Sequence, residues 1–186
     1  MTTRRARQKQ EEEVFWRAYE KQVADLLTEV DPSASVQHNQ MVPGWISGVP
    51  RQVDVLVDGS IAGQSVRVVV EAKCRGRRLT IEAVDGFVGR LLDLGAERGI
   101  IYSAADFSDG AILRASRQRN PSVALVHVAP VPPLMYDMIA RATPENRAAA
   151  RKRTVRRAPE VLDVIGTSVD TYRAFLRGKG FLYIGS

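Results

Sequence analysis

The 186-residue chain has one cysteine and two histidines, and aromatic residues make up only 6% of it. A lone thiol excludes an internal disulfide framework and any cysteine-rich zinc site. No run of about 18 apolar residues occurs, which excludes a transmembrane helix. The first ten residues are basic with no apolar stretch behind them, so they do not read as a secretory signal. No glycine-rich Walker loop appears either, so an ATP-driven motor would be a separate, as yet unidentified protein partner. Together these absences predict a soluble, cytoplasmic protein with no membrane contact. What is present suffices for a core. Hydrophobic residues are 45% of the chain, and the length suits one compact domain of about 100–200 residues, with an appendage at most.

The net charge of +6 is concentrated at two places. Residues 1–10 hold Arg4, Arg5, Arg7 and Lys9 with no acid, and residues 141–157 hold seven basic residues against Glu145. The stretch between, 11–140, has 13 basic and 17 acidic residues and is mildly acidic. Such flanks attract polyanions, because each cation set beside a phosphate releases a condensed counterion. A solvated tail and a solvated helix face are the plainer reading of the same runs.

Apolar spacing of threes and fours (Phe15, Tyr19, Val23, Leu26, Leu27, Val30) predicts a first helix over Glu11–Val30, ended by Asp31-Pro32. A short strand is expected near Val36–Met41. The β-branched run Arg51–Asp58 predicts a strand stopped by Gly59, and a loop to Gln64 leads into a second strand over Ser65–Lys73. Thr80 should cap a helix from Ile81 to about Leu94, with Gly95 at its end. A strand at Gly99–Ser103, a helix over Asp106–Arg119 and a strand at Val123–Val128 follow. Alternating helices and strands predict an α/β protein with a mixed sheet. Thr143-Pro144-Glu145 starts a basic helix, with a further helix near Val169–Leu176 and an edge strand at Phe181–Ile184. The expected organisation is a domain at 11–130 and a C-terminal extension at 131–186 that carries the basic helix and a short tail.

The strand over 66–73 carries an anomaly. Val68-Val69-Val70 reads as buried, yet it leads straight into Glu71 and Lys73. Residues two apart on a strand share a face, so carboxylate and ammonium stand side by side. Asp54 likewise interrupts the apolar run Val53–Val57. Buried charges are costly unless paired with one another or with a metal. If the two strands pair around their loop, Asp54 approaches Glu71. Two converging carboxylates make a hard oxygen site suited to Mg²⁺, with the Ala72 carbonyl as a further ligand and Mn²⁺ expected to substitute. Lys73 would then orient or help deprotonate a metal-bound water and offset charge building on a phosphate. These are parts for hydrolysing a phosphodiester. The competing reading is a simple Glu71–Lys73 ion pair with Asp54 at a strand rim.

Several stretches together resemble a known family. Tyr19-Glu20-Lys21-Gln22-Val23-Ala24-Asp25-Leu26-Leu27, then Arg51-Gln52-Val53-Asp54-Val55, then Val69-Val70-Glu71-Ala72-Lys73-Cys74-Arg75 stand in the order of the PD-(D/E)XK nuclease superfamily. Asp93–Ile101 followed by Phe107-Ser108-Asp109-Gly110-Ala111 narrows the likeness to its Mrr-like restriction endonuclease branch. The resemblance covers roughly residues 15–128. It implies a restriction-endonuclease-like three-layer fold and a metal-dependent nuclease acting on DNA through a metal-activated water. On this likeness Asp54 and Glu71 would bind the metal, Lys73 would act on the water and Glu20 would support the site from the first helix.

The sequence departs from the family at two points. Val53 stands where many relatives carry proline before the aspartate. The helix after the catalytic strand offers Glu82, Asp85 and Arg90 but not the glutamine common there.

Arg75, Arg77 and Arg78 follow the catalytic strand and are expected to grip phosphates of nucleic acid. Cutting both strands of a duplex with one site per chain would favour a homodimer. The alternative function is a non-catalytic nuclease-like module that binds nucleic acid or a protein partner; the presence of Asp54, Glu71 and Lys73 together argues against it. A small-molecule hydrolase ranks last for want of a nucleophile or histidine base. His38 and His127 lack ligand-like neighbours in sequence and are not expected at a metal. Cys74 is expected as a small core residue, and Trp16 and Trp45 as packing at the core or its rim.

Overall fold

The computed structural model describes residues 13–21, 23–25, 27–28, 33–61, 63–73, 77–127, 175 and 183–184. The described helical residues between 13 and 28 form α1. Then come β1 (Ser35–Pro43), β2 (Pro50–Ile61), β3 (Gln64–Lys73), α2 (Ile81–Asp93), β4 (Arg98–Ser103), α3 (Asp109–Arg117), β5 (Ser122–His127) and β6 (Tyr183–Ile184). They make one mixed sheet in the order β1-β2-β3-β4-β5-β6. The pairs β1–β2 and β2–β3 are antiparallel, and the remaining pairs are parallel. This is the expected α/β architecture with a mixed sheet between helices.

Each inner strand has two apolar faces, and each face finds a helix layer. Val68, Val70, Ala72, Ile100, Tyr102, Ala124 and Val126 pack with Tyr19, Val23 and Leu27 of α1 and with Phe175. The alternate residues Val69, Ile101, Val123 and Leu125 pack with Val84, Phe87, Val88 and Leu91 of α2 and Ala111 and Ala115 of α3. The result is three layers, because successive side chains of a strand point to opposite faces and both must be covered.

Some element boundaries differ from the expected ones. Gly59 does not stop β2: pairing continues through Gly59↔Val66 to Ile61↔Gln64, so the expected six-residue loop shrinks to residues 62 and 63. Gly63 takes the positive φ of 79° there, as a tight hairpin connection favours. The helix expected from Asp106 begins instead at Asp109, with the Ser108 hydroxyl accepting the Ala111 N–H as its cap. Phe107 bridges to Leu79 instead. Thr80 occupies the N-cap position of α2 but makes no side-chain cap bond to the backbone. Its hydroxyl bonds Glu82 and lowers that carboxyl. Gly95 does end α2: it sits at φ +62°, while its N–H and that of Ala96 reach back to the Leu92 and Leu91 carbonyls. The basic helix from Thr143 and residues Cys74 and Arg75 lie outside the described residues.

The β1–β2 hairpin changes phase in its middle. Val55 and Val57 face the α1 layer and Leu56 the α2 layer; two residues before Val55, strict alternation would aim Val53 at α1, but it packs with α2. On β1, Val36 packs on the α1 side and Val42 on the α2 side. The shift falls where Asn39 adopts φ +53°, and by register Asn39 stands opposite Asp54. A left-handed residue re-aims the chain locally. The far half of the hairpin therefore leans over α2.

Candidate active site at the β2–β3 fork

The ladder between β2 and β3 runs in register from Ile61↔Gln64 to Val55↔Val70 and stops. The next residues in that register are Asp54 and Glu71. Here the strands part, and the Asp54 carboxylate enters the gap: its Oδ2 accepts the Ala72 N–H at 2.8 Å. On the other edge of β3 the Lys73 carbonyl accepts the Ala104 N–H at 2.8 Å. Since peptide groups alternate sides along a strand, the Ala72 carbonyl is directed away from β4 and towards the fork. Asp54, Ala72 and Glu71 are thus drawn together by the point at which one ladder ends.

Glu71 is 5% exposed and lies on the α2 side of the sheet. Its Oε1 pairs with the Lys73 ammonium, and its Oε2 lies 3.2 Å from the Arg90 Nη1 of α2. The same-face geometry expected from Glu-x-Lys is present. Arg90 is the addition that sequence reasoning did not place. It fills the helix position facing the carboxylate, and its spacing from the buried Phe87 and Leu91 was the available signal. Asp85 is turned elsewhere, 2.7 Å from Arg114 of α3.

The electrostatics suit a cation. Burial, followed by repulsion from Glu71, pushes the Asp54 carboxyl above its usual range, while the Ala72 N–H, Lys73 and Arg90 pull the other way. Glu20 of α1 is raised by burial and then by the Asp54 charge. The opposing influences are His38, whose Nε2 lies 3.4 Å from Glu20 Oε2, and then Arg17. The His38 Nε2 is buried and has no aligned hydrogen-bond partner. His38, which has no ligand-like neighbours in sequence, thus faces Glu20, a candidate residue of the site. β1 supplies it from 16 residues upstream of Asp54, which is why local sequence gave no sign of it.

A divalent ion fits this donor set. Desolvated carboxylates that repel one another are relieved by a positive charge between them, and hard oxygen donors suit Mg²⁺ or Mn²⁺. Among the described residues no cluster of three His, Cys, Asp or Glu side chains has metal-holding geometry. A site here would use two carboxylates and the Ala72 carbonyl. Of the arginines expected to grip phosphates, Arg77 and Arg78 are among the described residues. Arg77 is exposed, and Arg78 directs one Nη2 at the Phe107 carbonyl, 2.9 Å away.

Comparison with known proteins places the chain in a family. Residues 12–131, close to two thirds of the chain, match the family model Mrr_cat, restriction endonuclease. The chain belongs to that restriction endonuclease family, a family of nucleases. No curated protein matches it. Among solved structures it is similar to a protein of unknown function, AF1548, at 21% identity and TM-score 0.48, covering 61% of this chain and 58% of that one. It is also similar to the MspJI restriction endonuclease in complex with a 27-mer oligonucleotide, at 24% identity and TM-score 0.42, covering 60% of this chain and 25% of that one. A third is the DNA modification-dependent restriction endonuclease AspBHI, at 16% identity and TM-score 0.43, covering 80% and 40%. The chain therefore spans less than two thirds of each. No helix among the described residues is long and apolar enough to cross a membrane.

Proposed function

We propose that this chain is a metal-dependent nuclease that hydrolyses phosphodiester bonds in DNA. The observation that carries the reading is the fork, where Asp54, the Ala72 carbonyl and Glu71 converge beside Lys73. Asp54, Glu71 and the Ala72 carbonyl would hold Mg²⁺, with Mn²⁺ as substitute. When bound, such an ion supplies Lewis acidity that offsets charge on the phosphate and makes a neighbouring water more acidic. Lys73, one-third exposed, stands where its ammonium can orient that water and neutralise an incoming phosphate oxygen. Glu20, steadied by His38, adds negative charge on the α1 side of Asp54 and helps hold the cation at the fork. Membership of the restriction endonuclease family supports the reaction class.

One observation favours the alternative of a non-catalytic module that binds nucleic acid: Glu71 is already engaged by two cations, Lys73 and Arg90. The two readings separate in a plasmid cleavage assay with Mg²⁺ or Mn²⁺. The nuclease reading expects nicking or linearisation that EDTA abolishes and that falls by about 10²–10³-fold or more in Asp54→Ala and Lys73→Ala. Wild type that binds plasmid in a gel shift but leaves it intact at every metal concentration would establish the binding module instead. A homodimer, needed if both strands are cut, would appear in sedimentation at twice the chain mass.

A further inference from the structure

The β1–β2 connection is an exposed apolar tip held rigidly in place. Trp45 is 83% exposed and Ile46 is 76% exposed, so the expected packing of Trp45 at the core or its rim is overturned. Large side chains on a floppy loop would need no comment, but this loop is pinned. The buried Asp93 carboxylate at the end of α2 accepts the Ser47 N–H at 2.7 Å, the Ser47 hydroxyl at 2.8 Å and the Arg51 Nε–H at 2.7 Å. The Asp93 carbonyl accepts the Trp45 N–H, and the Gly44 N–H and carbonyl bond Val49 and Gly48. One side of the indole lies against Gly95, where an added Cβ would come within 2.8 Å of Trp45 Cε3. The other side faces solvent.

Two observations identify what covers it. The first is position. Asp93 lies one helical turn beyond Arg90, and Arg90 touches Glu71, so the tip is fixed to the helix that faces the proposed catalytic carboxylate. A turn of helix and an arginine side chain put the tip on the order of 10–15 Å from the fork, a span of about two nucleotides. The second is chemistry. From Ser33 to Val53 the hairpin carries no acidic residue, and Asp93 beneath it is neutralised by Arg51, so the hairpin itself presents no uncompensated carboxylate to a polyanion. The area also speaks against a stable protein interface. Trp45, Ile46 and the exposed Val49 of the same tip offer roughly 400 Å², about half of the ~800 Å² per partner that such an interface buries. A nucleobase needs one ring face.

We infer that Trp45 is a nucleobase-stacking residue: its solvent face, flanked by Ile46, receives a base of the substrate strand about two nucleotides from the cleaved phosphodiester. The inference rests on the nuclease reading and deepens it by naming a substrate contact outside the fork.

The test uses the full chain with Trp16→Phe, so that Trp45 is the only fluorophore of its kind, titrated with a single-stranded oligonucleotide and with the same sequence as duplex, in EDTA. Quenching of Trp45 emission by either probe is expected. Trp45→Ala, compared in the same buffer by gel shift, should weaken binding by about 5- to 100-fold with an unchanged melting temperature, while Trp45→Phe retains most of it. No quenching by either probe overturns the inference. So does equal binding by Trp45→Ala, and in that case metal-dependent plasmid cleavage by wild type would leave the nuclease reading standing. A concentration-dependent dimer that Trp45→Ala abolishes would overturn it in favour of a contact between copies. Quenching and weakened binding in a protein that never cleaves plasmid would uphold the stacking role and remove the catalytic one.

Discussion

Asp54 and Asp93 are both aspartates withdrawn from solvent near opposite ends of one hairpin half, and they are treated in opposite ways. Asp93 receives three donors, two from Ser47 and one from Arg51. These bonds hold its carboxyl down to about 2. Asp54 receives one backbone N–H and faces Glu71, and burial pushes it up. A carboxylate whose charge is fully answered does structural work. One whose charge is left over remains able to attract a cation. The pair shows how one residue type is divided between holding the fold and supplying chemistry.

The comparison is most sharply tested by removing the charge from each in turn. Asp54→Asn keeps an oxygen for the Ala72 N–H but loses the charge. Plasmid cleavage should fall by about 10²–10³-fold or more, while the melting temperature at neutral pH rises. A carboxyl raised in the folded state binds its proton more tightly there than in the unfolded chain, so ionisation costs stability as pH climbs through the folded value. The gain from Asn should therefore shrink as the wild-type carboxyl becomes protonated on acidification. A lower melting temperature at pH 7 would show that the charge of Asp54 supports the fold.

Asp93→Asn should do the reverse. Its carboxyl sits near 2 against an ordinary 3.8, so its stabilisation is complete above about 3.8 and drains away as pH falls towards 2. The variant is expected to melt several degrees lower at pH 7 and to approach wild type near pH 2. It also frees the Trp45 loop, so oligonucleotide binding should weaken with it. Equal melting temperatures at neutral pH would break the contrast.

Arg90→Gln probes how much of the Glu71 charge is already answered. With the guanidinium gone, one carboxylate oxygen is released to a metal, and the Mg²⁺ concentration for half-maximal cleavage should drop several-fold. An unchanged metal requirement would mean that Arg90 does not compete for Glu71. The smallest effect is expected from Asp58, a half-buried partner of Arg67 at 3.0 Å on the same two strands. Asp58→Asn should cost about 0–1 kcal/mol in denaturant unfolding and leave cleavage intact.

Much of the scaffold could be read from the chain because its signals are local. Val68-Val69-Val70 running into Glu71 and Lys73 announces a buried strand with a charged end, and the side-by-side placement follows from the two-residue period alone. Gly95 marks the end of α2 because only a residue comfortable at positive φ closes that turn easily. The expected start of α3 at Asp106 moved to Asp109 for the same kind of reason in reverse: Phe107 was taken up by a bridge to Leu79, and Ser108 made the better cap. Periodicity does not register a competing partner 28 residues upstream.

The order of elements, the two-faced strands that call for helices on both sides, and the carboxylates that do not belong in an apolar run are all written locally in the chain. Tertiary structure decided the rest. It parted β2 from β3 at Asp54, brought His38 to Glu20 and Arg90 to Glu71, and left Trp45 in solvent while anchoring its backbone to Asp93. Each of these joins residues far apart in the chain, and a contact of that kind depends on where whole elements pack. Hydrophobic patterning chooses the face each residue takes; which groups meet across the faces is settled only when strands diverge and helices dock.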